Sequence, residues 1–179
     1  TTTAPVTLSG GTLSGGSWSP SSITASSGTL NNVALSGDLN VAAFGLANVT
    51  GTTTFNVAHL NEGADIRFAP GYTLNSTVRA EGTGGNSRQV LTTAVGTFTI
   101  GATGLVELAA GTGGGLTVGN ASMTLINNGT IANNAAGRTL TVNAIATTNN
   151  ASLSASTGTL TINNAWTNPG TISATNATL

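Results

Sequence analysis

The sequence predicts an all-β fold, a single parallel β-helix or β-solenoid of about eight coils with about twenty residues each and no helical domain. A repeat of that length, a composition dominated by strand and turn formers, and the lack of helical periodicity predict it. We expect a right-handed coil, because crossovers between parallel strands almost always have that hand.

The repeat is clearest near the C-terminus, where residues 158–163 (GTLTIN) echo residues 137–143 (GRTLTVN). Apolar residues recur about every twenty positions, and a second apolar column follows two residues later. Side chains alternate across a strand, so we expect both columns to face inward and the intervening threonines to face outward. The first column of this predicted core ladder is Leu39, Phe55, Leu74, Phe98, Leu116, Leu140, Leu160 and Leu179. The second column is Val41, Val57, Ile100, Val118, Val142 and Ile162.

A second strand in each coil is predicted from Ile131, Leu153 and Ile172, which follow Asn- or Gly-containing breaks and keep a similar period. A unit of this size cannot bury its apolar face alone, so successive units must stack. The paired asparagines are expected at the corners, either as stacked amide ladders or as residues in the left-handed conformation.

Composition argues against several classes of function. Charged residues make up 5% of the chain, lysine is absent and the net charge is −1, so we expect no nucleic-acid partner. No apolar run is long enough to cross a bilayer, so no membrane insertion is expected either. The absence of cysteine removes disulfides and thiolate chemistry.

We predict that residues 1–30 form an irregular N-terminal turn or extended arm. Residues 31–179 are predicted to form the solenoid, continuing to an uncapped C-terminus. The start of the chain lacks signal-peptide features, which indicates a mature form or an excised segment. Because solenoids need a cap to cover their last coil, we expect Trp166, Ile172 and Leu179 to contact either a second copy, head to tail, or further repeats of a longer chain.

One stretch concentrates polar side chains and holds six of the nine formal charges. Its residues are His59, Glu62, Asp65, Arg67, Tyr72, Arg79, Glu81 and Arg88. The favoured interpretation is local salt bridges on the surface, between Asp65 and Arg67 and between Arg79 and Glu81, because residues two apart share a strand face. The alternative is that Glu62 and Glu81 form paired carboxylates like those of a glycosidase or lyase.

No catalytic, cofactor-binding or metal-binding residue is predicted. His59 is the only histidine, which is too little for a metal centre in a chain without cysteine. We therefore expect a protein that is not an enzyme and has no cofactor.

Residues 28–39 and 158–172 resemble the strand repeats of bacterial autotransporter and large-adhesin passenger regions. The resemblance implies export to the bacterial surface and a role in fibres, adhesion or envelope structure. We accordingly expect a secreted or cell-surface structural or adhesive protein, with copies of itself, surface glycans or host surfaces as partners.

Two other functions stay open. Thr-x-Thr pairs at Thr97/Thr99, Thr139/Thr141 and Thr159/Thr161 are typical of an ice-binding face, on which hydroxyls and methyls are regularly spaced. A carbohydrate-binding or carbohydrate-cleaving β-helix is the other alternative, with Trp18, Trp166 and Tyr72 as rings for stacking on sugars.

Overall fold

A computed structural model describes residues 6–19 and 22–179, and within these ranges the chain is all-β, with no helix. The predicted solenoid is confirmed, with parallel strands stacked in about nine turns. The strands are β1 (Val6–Ser14), β2 (Ser17–Trp18), β3 (Ser22–Asn31), β4 (Ala34–Leu35), β5 (Asp38–Val41), β6 (Leu46–Thr50), β7 (Val57–Leu60), β8 (Asp65–Phe68), β9 (Thr73–Leu74), β10 (Thr77–Ala80), β11 (Arg88–Thr92), β12 (Gly96–Ile100), β13 (Leu105–Leu108), β14 (Leu116–Val118), β15 (Met123–Asn127), β16 (Thr130–Asn133), β17 (Thr139–Val142), β18 (Ala146–Asn149), β19 (Ser152–Ala155), β20 (Gly158–Ile162), β21 (Ala165–Thr167), β22 (Thr171–Ala174) and β23 (Ala177–Thr178).

Most full turns contribute strands to three faces. Face 1 stacks β5, β7, β10, β13, β16, β19 and β22, and face 2 stacks β6, β8, β11, β14, β17, β20 and β23. Face 3 contains β2 with β4, and farther along β9, β12, β15, β18 and β21. The long strand β3 joins faces 1 and 2, because its first half pairs with β5 and its second half with β6.

Strand register places equivalent side chains directly above one another. On face 2, Leu116 pairs with Leu140, and Leu140 pairs with Leu160. On face 1, the predicted second strand is present, with Ile131 paired to Leu153, and Leu153 to Ile172. Stacked aliphatic rows therefore build the interior of the rod.

The predicted first column is wrong as a single row, because its residues lie on three faces. Leu39 is on face 1; Leu74 and Phe98 are on face 3, where Phe55 follows the bridge residue Thr54. All these side chains are buried. A turn with three short apolar strands has an inward residue every few positions. An alignment at twenty-residue steps therefore joins residues that lie on different faces.

In the second column, Val41, Ile100, Val118 and Val142 are buried, but Val57 is a wrong assignment. Val57 is only half-buried, and Ala58 is the inward residue that pairs with Leu39. Because side chains alternate, a one-residue shift in register moved Val57 to the outer surface. Ile162 is partly buried and packs against the core from the last full turn.

The prediction of an irregular segment over residues 1–30 is wrong for most of the described residues there. β1 pairs in parallel with β3, and Ile23, Ala25 and Leu30 are fully buried. The irregularity that exists is local, because β1 shifts register twice between Leu8 and Thr12. Residues 1–5 and 20–21 lie outside the described residues.

Turns differ in length because their corner loops differ. Leu153 pairs with Ile172, 19 positions later, whereas Val78 pairs with Val106, 28 positions later. The long turn accommodates the glycine-rich residues 81–87, and residues 109–115 form a similar loop at the same corner in the next turn. Strand spacing stays regular while the corners absorb insertions.

Corner asparagines take both of the expected forms. Asn127 donates to the Asn149 side-chain oxygen at 2.7 Å, and Asn149 donates to that of Asn168 at 2.6 Å, which makes a ladder between faces 3 and 1. Asn32 and Asn164 have the positive φ angles of 54° and 64°. Asparagine fits both positions because its amide both donates and accepts, and because it tolerates the left-handed region.

Candidate functional site

The predicted polar cluster is divided among four places. His59, Arg79 and Glu81 lie at face 1, whereas Asp65 and Arg67 lie on face 2. Glu62 and Arg88 belong to the corner between these faces, and Tyr72 lines face 3. Proximity in sequence thus did not bring these side chains into one site.

Face 1 carries a column of charged side chains that crosses four turns of the rod. Arg79 pairs with His59 on one side and with Glu107 on the other in the strand register. The Arg79 guanidinium forms a salt bridge with the Glu107 carboxylate, which also accepts a hydrogen bond from the Asn134 amide at 3.3 Å. This salt bridge raises the pKa of Arg79 above its usual value.

His59 lies between two carboxylates from neighbouring turns. Its Nδ1 is 3.0 Å from Glu81 Oε1, and its Nε2 is 3.4 Å from Asp38 Oδ2. Each ring nitrogen thus faces one carboxylate, and the tautomer of His59 sets which nitrogen donates. The contacts link three successive turns across their outer surface.

Asp38 and Glu107 belong to this column but were missed in the sequence. The available signal was alternation, since Glu107 stands between the apolar Val106 and Leu108 and therefore faces outward. The twenty-residue period did not connect Glu107 to Arg79, because that turn is 28 positions long.

The two predicted salt bridges have different outcomes. Arg67 donates to Asp65 at 3.1 Å, as their two-residue spacing predicted. The Arg79–Glu81 pair is wrong, because Arg79 binds Glu107 and Glu81 binds His59. Glu81 follows the last residue of β10, so the chain has already left the extended geometry that would align the pair.

Arg88 was predicted to lie in a surface cluster, and this assignment is wrong because its side chain is fully buried. The guanidinium donates to the carbonyls of Glu81 and Gly82, at 2.5 and 3.1 Å, and to those of Gly84 and Asn86, at 3.1 and 2.6 Å. Burial lowers the pKa of Arg88, and the Glu62 carboxylate partly offsets this effect. Arg88 therefore holds the loop of residues 81–87 in place.

The second glycine-rich loop packs directly on the first. Gly113 donates its backbone N–H to the Gly82 carbonyl at 2.9 Å. A Cβ atom on Gly113 would collide with the Thr83 carbonyl, so glycine is required where the loops touch. Both segments act as packed corners of the solenoid.

Glu62 and Glu81 are not arranged as the paired carboxylates that the alternative interpretation requires. Glu62 accepts hydrogen bonds from the backbone and side chain of Asn86, which lower its pKa, while Glu81 is bound to His59. Among the residues that the structure describes, no three His, Cys, Asp or Glu side chains are grouped to hold a metal ion.

The outer threonines form two columns on face 2. Thr117, Thr141 and Thr161 are in register, and so are Thr139, Thr159 and Thr178. Thr97 and Thr99 lie on face 3 instead, because β12 belongs to that sheet. The three predicted Thr-x-Thr pairs therefore do not share one surface.

The last turn leaves apolar side chains uncovered. Leu160, Ile162, Trp166, Ile172 and Leu179 line a depression of about 190 Å³. Trp166 is 47% exposed and Leu179 is 63% exposed, in contrast to Leu140, which is fully buried two turns before Leu179 on face 2. The predicted end-to-end residues thus form one apolar surface.

Comparison with protein-family models, with curated proteins and with solved structures finds no match to this chain. The fold itself defines the class of protein, which is a repeat protein of the parallel β-solenoid type. In residues 6–19 and 22–179 there is no helix long and apolar enough to cross a membrane.

Proposed function

We propose that this chain is a structural or adhesive β-solenoid module of an extracellular bacterial surface protein or fibre. Its support is that nearly every strand stacks on a neighbouring turn. Buried aliphatic rows fill the inside, and apart from the charged residues of faces 1 and 2 the outer surface carries mainly Thr, Ser and Asn side chains. A rod of this kind provides length and lateral surface, which are the properties that a spacer or an adhesive stalk requires.

The observation that carries the proposal is the apolar surface at the last turn, made of Leu160, Ile162, Trp166, Ile172 and Leu179. Strands β21, β22 and β23 also have a neighbour on only one side, so their outer backbone groups are available for pairing. Further repeats of a longer chain would cover both, and so would a second copy that stacks its own first turn there, head to tail. Repetition of this contact would produce a filament.

The test is whether the chain associates in a concentration-dependent way. Sedimentation velocity and negative-stain electron microscopy should show rods that lengthen as the concentration rises. Trp166→Asp should shorten or abolish them, because a charge would be buried in the contact without a partner. Thr117→Asp, on the side of the rod, is the matched control and should leave assembly unchanged.

The proposal of end-to-end assembly fails if the chain stays monomeric at the highest attainable concentration. It also fails if Thr117→Asp reduces assembly as much as Trp166→Asp, because the contact would then lie on a lateral face. Circular dichroism of each variant verifies that the β-fold is retained.

Ice binding is the second candidate, favoured by the two threonine columns on face 2. Parallel strands about 4.8 Å apart, with outward residues about 6.6 Å apart along each strand, present hydroxyls and methyls as a flat lattice. Replacement of Thr141 and Thr161 by Tyr should abolish crystal shaping and inhibition of ice recrystallisation. The control is Ser152→Tyr on face 1, and normal ice growth with the unmodified chain contradicts this candidate.

A further inference from the structure

A groove interrupts face 3 in the N-terminal half of the rod. It has a volume of about 360 Å³, at the lower end of the range of roughly 300 to 1,000 Å³ typical of small-molecule sites. Residues 51–55 form one side, and residues 71–76 form the other. The groove is separate from the charged column of face 1 and from the apolar surface at the last turn.

The groove exists because the strand ladder of face 3 is broken there. Thr54 bridges only backward to Ala34, and β9 pairs only forward with β12. The backbone groups of Phe55 and Thr73 point toward each other across the break. In the described part of the chain they have no hydrogen-bond partner, so both donors and acceptors are free at the groove.

Side chains add further polar groups without adding charge. The Tyr72 hydroxyl and the Thr53 carbonyl are already joined by a hydrogen bond of 2.5 Å. By contrast, the side-chain polar atoms of Thr54, Thr73 and Asn75 have no protein partner among the described residues. No Asp, Glu, Arg or His lines the groove. Its chemistry thus fits a neutral ligand with many hydroxyl groups.

Tyr72 gives the groove a rigid aromatic wall. Its ring packs on Phe68 with a centroid distance of 4.7 Å, and Phe68 stacks on Phe98 at the same distance. The hydroxyl bond to Thr53 fixes the ring from the other end. A fixed aromatic ring loses little conformational freedom on binding, and its apolar surface suits the C–H groups of a sugar.

We propose that this groove is a binding site for a single neutral sugar ring. The hydroxyls of Thr54 and Thr73, the Asn75 amide and the free backbone groups bind the sugar hydroxyls, while Tyr72 contacts its apolar side. The site is independent of end-to-end assembly, because none of its residues lies in the last turn.

The test uses nuclear magnetic resonance titration of the ¹⁵N-labelled chain with methyl glucoside, methyl galactoside and N-acetylglucosamine as neutral probes, and galacturonate as a charged one. At least one neutral probe should shift the amides of residues 51–55 and 71–76 in a saturable way. Galacturonate should bind more weakly, because the groove offers no cation.

Two isosteric variants and one control make the test specific. Thr54→Val and Thr73→Val each remove one hydroxyl at constant shape and should weaken binding about fivefold to tenfold. Thr99→Val is the control, because Thr99 pairs with Thr73 on the same face but lies outside the groove. It should leave binding unchanged.

The proposal is overturned if no neutral probe produces saturable shifts, or if the shifts lie outside residues 51–55 and 71–76. Equal weakening by Thr99→Val and Thr73→Val would also overturn it, because the effect would then not be local. A chain that binds sugar but stays monomeric supports this site while contradicting end-to-end assembly.

Discussion

Individual buried polar side chains decide whether a corner of this solenoid can close. Arg88 binds four backbone carbonyls of residues 81–86, so the loop and the guanidinium depend on each other. Arg88→Met should destabilise the fold by about 2 to 4 kcal/mol, since it leaves buried acceptors without donors. Urea unfolding measures this change. The exposed Arg138→Met should change stability by less than about 0.5 kcal/mol, and an equal loss in both variants would contradict the role of Arg88.

Tyr72 makes stability depend on pH in the alkaline range. Burial raises the pKa of Tyr72 to about 12, whereas the unfolded chain ionises near its ordinary value of 10.0. The unfolded state therefore loses this proton first, so stability is complete below pH 10 and falls as the pH rises toward 12. The expected loss is about 2 kcal/mol.

The composition makes this measurement specific. The chain has one tyrosine, no lysine and no cysteine, so phenolate absorbance reports Tyr72 alone. Urea midpoints between pH 9 and 12 should fall for the unmodified chain and stay flatter for Tyr72→Phe. A phenolate transition near pH 10 in the folded protein would contradict the partial burial of the ring.

Among the structural elements, the amide ladder at the corner between faces 3 and 1 is the most sensitive to a single substitution. Asn149 is fully buried, accepts from Asn127, and donates to Asn168 and to the Thr171 carbonyl at 3.0 Å. Asn149→Ala should cost about 2 to 3 kcal/mol, because it removes one acceptor of the Asn127 amide and the side-chain donor of the Thr171 carbonyl inside the corner. Thermal unfolding of the variant and of the unmodified chain measures this loss of stability.

The adjacent Asn150→Ala provides the control for that ladder. Asn150 is exposed and donates to Asn128 at 2.8 Å on the outer surface, where water replaces the lost bond. Its effect should stay within about 0.5 kcal/mol. If both variants lose the same stability, the inner ladder is not what holds this corner.

Element prediction was successful where apolar and polar residues alternate over several positions, as in β17 and β20. It failed for the third face, where β2, β4 and β9 each have two residues and leave almost no periodic signal. The same shortness explains the misplaced rows, since Phe55 and Leu74 were aligned with residues of faces 1 and 2.

The whole rod is a stack in which each turn contacts mainly its two neighbours, so stability should decrease from the middle to the ends. Strands β10 to β17 have a turn on both sides, whereas β1, β22 and β23 have one on a single side. Native-state hydrogen exchange should show the slowest amides in the middle and the fastest in these outer strands. Uniform protection along the chain would indicate one cooperative unit instead.

Stacking also explains which features of the site could be predicted. The Asp65–Arg67 pair follows from two-residue spacing within one strand, so local geometry suffices. The His59 contacts with Asp38 and Glu81 and the Arg79 contact with Glu107 join different turns, and their spacing depends on loop lengths that vary between turns. The buried position of Arg88 depends on loop carbonyls, which carry no side-chain signal.

By itself, the sequence determined the all-β parallel solenoid, the inward aliphatic rows and the corner roles of asparagine, because these follow from alternation and residue type. Only the tertiary structure decided the three faces, the register between turns, the charged column of face 1 and the groove of face 3. The physical reason is that register is set by how much chain each corner absorbs, and a change of one residue moves every side chain of a strand to the other surface.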